Sequence, residues 1–241
     1  MNVLQPPPGW GHDRLSEFIE LARRNTFATF VQATPVWKRL TMIDALFRRA
    51  IDALNNSRAW FAGFFLLRSH ASYLGGVRLS TSGQLGEAYM VFRGCLENAL
   101  YGLFIHEHPD LRSVWLRRHE DEASKQRVRD EFKIGLMFDL LDTKETTTGG
   151  VARSLYDRTI DCGAHPNEMA LTSVLRQTES PESVRFDVNY LSDASTPALS
   201  LCLKTNTQVG VCSLRIFRLV IPERFTILGL ANDLDAASRG L

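Results

Sequence analysis

The chain has 241 residues, enough for one large domain or two small ones with a substantial buried core. Hydrophobic residues make up 44% and charged residues 23%, ordinary for a globular protein, and the net charge of +1 leaves no global field to attract nucleic acid or an anionic membrane. Arginine outnumbers lysine, so any anion site has to be a local arginine patch.

The first eleven residues hold three consecutive prolines and read as an extended lead-in without a secretory pattern. Asp13 is placed to cap a helix carrying Leu15, Phe18, Ile19, Ala22 and Thr26. Thr34-Pro35 reads as a restart, with Thr34 as N-cap. The helix that follows sets Leu40, Ile43, Phe47, Ile51 and Leu54 on one face and Lys38, Arg48, Arg49 and Asp52 on the other. Residues 59–79 form a more apolar helix, surrounded by others. Thr81 with Gln84 resembles a capping box that opens the next. That helix, residues 84–106, is apolar nearly all round and is expected at the centre of the fold. Arg93 and Glu97 stand out on it, four residues apart, and predict a salt bridge within the core, with Tyr101 one turn along.

Residues 117–133 carry dense mixed charge and read as an exposed helical face, and residues 146–150 (TTTGG) read as a loop. A helix follows over residues 151–162, ended by Gly163. His165 then stands in the joint, as N-cap to a restart with Pro166 at the first helical position. Alternation over residues 171–191 predicts a small β-hairpin turning at residues 179–182. Thr196-Pro197 starts a long helix, and Pro222 begins a final one running to about residue 238. The expected fold is all-α: a single domain over residues 1–241, a bundle of seven or eight helices with a hairpin inserted near 171–191.

Cys95, Cys162, Cys202 and Cys212 form no CxxC pair and read as reduced core cysteines, which places the chain in the cytoplasm. No apolar run is long enough to span a bilayer, so no membrane partner is expected. His106, His108, His119 and Glu122 supply metal-ligand types, but histidines two apart diverge on a helix. Neither a metal nor a cofactor is expected.

Arg158 and His165, six residues apart and late in a helical chain, resemble the motif of HEPN-type helical proteins. Arg93 with Glu97, and Tyr156 followed by His165-Pro166, also resemble an outline shared by uncharacterised bacterial helical proteins. The resemblance implies a metal-independent ribonuclease acting as a dimer, with RNA as substrate. His165 would exchange protons and Arg158 would bind phosphate. The residue after the arginine, usually polar or acidic in that family, is Thr159 here. Read from the residues alone, Arg158 pairs with Asp157 or Asp161 and His165 turns the chain. Three classes of function therefore stand open. The first is a self-associating assembly module, a homo-oligomer. The second is the ribonuclease through Arg158 and His165. The third is a small-molecule pocket with Arg93, Glu97, Tyr101 and Asn167 as binding residues, sharing a cavity with His165.

Overall fold

The computed structural model describes residues 6–52, 54, 59–166, 168–172, 175–180, 183–193 and 195–241; the candidate Asn167 lies outside them. The fold is an all-α bundle carrying one two-stranded antiparallel hairpin, as the sequence predicts. Its centre is an antiparallel pair, α3 (Trp60–Thr81) and α4 (Leu85–Glu107), joined by a turn in which Gly83 has φ +87°. Across both lies α10 (Pro197–Val220), started by Pro197 and by the Thr196 hydroxyl, which accepts the Leu199 N–H at 3.2 Å.

These helices approach closely because small residues face large ones. A Cβ on Gly210 would stand 2.7 Å from Tyr73 and from Ile43, and one on Gly76 would stand 2.6 Å from Phe92. Tyr73 is fully buried and donates to the Leu40 carbonyl at 2.8 Å. Small polar groups are also inside, several of them partnered, although the buried Asn206 Oδ1 accepts no hydrogen bond among the described residues. Ser69 donates to the Cys95 carbonyl at 3.0 Å, and Asn206 donates to Ser80 at 3.2 Å. Half-buried Asp44 on α2 (Thr34–Asp52) meets His70 at 2.7 Å and Arg48 at 2.9 Å. Burial would raise the Asp44 pKa, but these two hydrogen bonds outweigh it and hold the carboxyl below its ordinary value.

Helix α1 (Arg14–Gln32) is capped by Asp13, whose carboxylate accepts from the Leu15 and Ser16 N–H groups. It turns to the body a face of Ser16, Ala22 and Thr29 and leaves Leu15, Ile19, Phe27, Phe30 and Val31 exposed. Its ties are polar: Thr29 donates to the Thr81 carbonyl at 2.9 Å, and Asn25 to the carbonyls of Ser82 and Ser192. Thr34 does not cap α2. Its hydroxyl donates back to the Phe30 and Val31 carbonyls, and Ala33 sits at the joint with its carbonyl accepting from Trp37. Nor does Thr81 open a capping box. It ends α3, bonded back to Val77, and Gln84 precedes α4 without a side-chain cap.

Beyond α4 come the short helices α5 (Leu111–Leu116) and α6 (Glu122–Glu131), the latter capped by Asp121, and then α7 (Ile134–Lys144). Residues 146–150, expected as a loop, are the first turn of α8 (Thr146–Thr159). Gly149 is there for space, since any Cβ would strike the Asp142 side chain of α7. A five-residue π-helical turn, Ile160–Ala164, follows, and Gly163 breaks the helix at φ +154° as its position predicts. Helix α9 (Glu168–Thr172) takes Leu171 and Thr172, which the alternation had assigned to the hairpin. The strands are β1 (Leu175–Ser180) and β2 (Ser183–Val188), with Ser180 opposite Ser183. The expected final helix is broken at Gly229, φ +65°, into α11 (Pro222–Ile227) and α12 (Leu230–Ser238). None of the described helices is long and apolar enough to cross a membrane.

Candidate functional site

Arg93 and Glu97 form the predicted ion pair, Nε to Oε1 at 2.9 Å. The expectation that it is sealed in the core is wrong: the two side chains are 32% and 34% exposed, because this flank of α4 is only half-covered by α8. Glu97 Oε1 also accepts the Tyr156 hydroxyl at 3.0 Å, and the Arg93 guanidinium lies 5.0 Å from the centre of the Tyr156 ring. Burial, with the Glu97 charge adding to it, pushes the Tyr156 pKa up to about 12. The arrangement continues sideways. Tyr156 sets its ring edge-to-face on Phe138 at 5.4 Å, and Arg153 stacks over Phe138 at 4.8 Å while bridging Asp139 and Asp142 at 2.8 and 2.7 Å. Arginine, aromatic ring and carboxylate thus alternate across α4, α8 and α7 and lock them in register.

Tyr101 does not join the pair. Its ring stacks between Phe65 and Phe132, and its hydroxyl donates to the Phe132 carbonyl at 3.5 Å. Nor does Arg158 pair with Asp157 or Asp161, which both point to solvent. It crosses to α10, where Nη1 donates to Gln208 at 2.8 Å and to Thr205 at 3.3 Å. His165 is exposed on extended backbone, φ −139° and ψ 142°, with no hydrogen-bond partner among the described residues.

Gly163 fixes where His165 can be. A Cβ at this position would come within 2.6 Å of the Gly86 carbonyl, so the π-helical turn rests on the first turn of α4. Gly86 lies about 16 Å along α4 from Glu97 at the usual helical rise. Arg93 lies nearer, about 10 Å from Gly86 by the same rise, and no hydrogen bond among the described residues joins His165 to Arg93 or Glu97. Depressions open elsewhere, one of about 360 Å³ along residues 7–19 and one of about 200 Å³ lined by Pro35, Val36, Arg39, Lys204 and Thr207. Neither reaches the Arg93–Glu97 pair. Among the described residues no three His, Cys, Asp or Glu side chains converge as metal ligands.

The least explained part of the surface is apolar. On α3 the residues Trp60, Phe64, Leu67, Ala71 and Leu74 are exposed, and Met90 of α4 stands exposed as well. Alternating steps of four and three place the α3 set on one stripe, which continues to Arg78. The expectation that this helix is surrounded by others fails on this face: apolar residues in several directions signal burial, and here one row of them is uncovered. No family model, no curated protein and no solved structure matches the chain.

Proposed function

We propose that this chain is a helical self-association module, with its internal polar residues serving structure. The observation that carries the reading is the α3 stripe, a row of large apolar side chains at 3.5-residue spacing on the outside of one of the two central helices. The polar candidates support it by their engagements: Arg158 is taken up by Gln208 and Thr205, and Glu97 by Arg93 and Tyr156. All four cysteines are unpaired and three are buried, in keeping with a reducing, cytoplasmic setting.

Sedimentation velocity across a hundredfold concentration range tests the reading. The expected result is a reversible dimer whose thermal midpoint rises with concentration. A chain that stays monomeric throughout, with a concentration-independent midpoint, overturns it.

One observation favours a second reading. His165 is solvent-exposed, as a catalytic histidine of a metal-independent ribonuclease has to be. RNA cleavage in the presence of a chelator, lost on His165→Ala with the fold retained, is its signature; equal cleavage by wild type and variant rules it out.

A further inference from the structure

Resting on the self-association reading, we infer that a second copy of this chain packs antiparallel along α3, with the two-fold axis at Ala71. The stripe has an orientation. Its N-terminal half is the bulkier, with Trp60, Phe64 and Leu67, and its C-terminal half is lighter and ends in a cation, with Ala71, Leu74 and Arg78. A parallel pair would set Trp60 on Trp60 and Arg78 on Arg78. An antiparallel pair centred on Ala71 sets Leu74 against the stem of the mate's Arg68 and lays the Arg78 guanidinium against the Phe64 ring, where a cation is attracted to the aromatic face. It also brings Trp60 to Ser82, the end of α3 where α1 is tied with its own apolar residues exposed. Cation meets ring, and the bulkier half meets the lighter one, only when the surface is turned end over end on itself.

The spacing and the area agree. Steps of four and three along residues 60, 64, 67, 71, 74 and 78 suit the shallow crossing of two helices by about 20°. Trp60 is 58% exposed, Phe64 55%, Leu67 46% and Leu74 39%, and Met90 beside them is 55% exposed. Together they leave roughly 500 Å² of side chain uncovered. A stable dimer covers about 800 Å² on each partner, a difference that Ala71, the Arg68 and Arg78 stems and the flanking Val91 and Gly94 can supply.

Single cysteines and a short bis-maleimide test the arrangement in the full chain, with wild type controlling for half-exposed Cys162. Ala71→Cys is expected to cross-link efficiently to its mate. Arg78→Cys is not, because an antiparallel pair holds the two copies about 21 Å apart. Leu67→Asp is expected to weaken association by two orders of magnitude or more while leaving the helical circular-dichroism spectrum intact. A dimer in which Arg78→Cys cross-links as well as Ala71→Cys is parallel and overturns the orientation. A dimer unaffected by Leu67→Asp, with no Ala71→Cys cross-link, overturns the face and leaves the self-association reading standing. A chain that remains monomeric but floats with anionic vesicles assigns the stripe to a membrane surface and overturns both.

Discussion

Two glycines separate what is readable in a sequence from what is not. Gly163 is legible as a helix stop, and its backbone at φ +154° agrees; its contact with the Gly86 carbonyl, far back in the chain, is not legible. Gly163→Ala is expected to cost about 2–4 kcal/mol, because strained backbone and a clash with main chain leave no side chain to swing aside. Gly150→Ala, in the first turn of α8 with open space around it, is expected to stabilise by about 0.5–1 kcal/mol. Urea midpoints of the two variants check both signs. Gly149, next door, misleads in the other direction: it looks like a turn residue and is in fact a helical residue pressed against Asp142. Tyr156 yields a pH prediction. Its folded pKa, about 12, lies above the ordinary tyrosine value of 10, so its contribution is complete below pH 10 and is lost as pH rises toward 12. Tyr156→Phe should be less stable than wild type by about 0.5–1.5 kcal/mol at pH 8 and should lack a phenolate absorbance step near pH 12.

Among the elements, those with a capping residue or a proline beside the first turn were legible. Asp13 and Thr196-Pro197 act as read, because the cap and the helix it serves are neighbours in sequence. Thr34 and Thr81 have the same chemistry but turn their hydroxyls back onto carbonyls three or four residues earlier, the competing local bond open to any threonine. Helix α1 shows the limit of periodicity. Its apolar residues recur at helical spacing, yet its small and polar side face the body, and hydrogen bonds rather than apolar area hold it. Thr29→Val, which deletes the buried bond to Thr81, is expected to cost about 1 kcal/mol, whereas Ile19→Gln on the exposed side is expected to stay within about 0.5 kcal/mol. Hydrogen exchange should report α1 amides opening well before those of α3 and α4, and Thr29→Val should accelerate α1 alone.

At the scale of the molecule, the bundle and its hairpin were legible because long helical periods and a short alternating stretch differ in kind. The partners of Arg158 and Glu97 were not, since Gln208, Thr205 and Tyr156 lie on other helices and carry no local mark. An exposed apolar stripe and a buried one are likewise identical in a single sequence. The helix that closes the core arrives late: α10 lays Gly210 against Tyr73, yet is separated from α4 by everything from α5 to β2. At synthesis rates of about 5–20 residues per second, the α3–α4 hairpin waits on the order of ten seconds, half-built and with its inner face open, before the segment that closes it leaves the ribosome. During that interval a nascent chain presents two sticky surfaces, the transient one that α10 will take and the lasting one of Trp60, Phe64 and Leu67. Neighbouring copies on one messenger would meet through either.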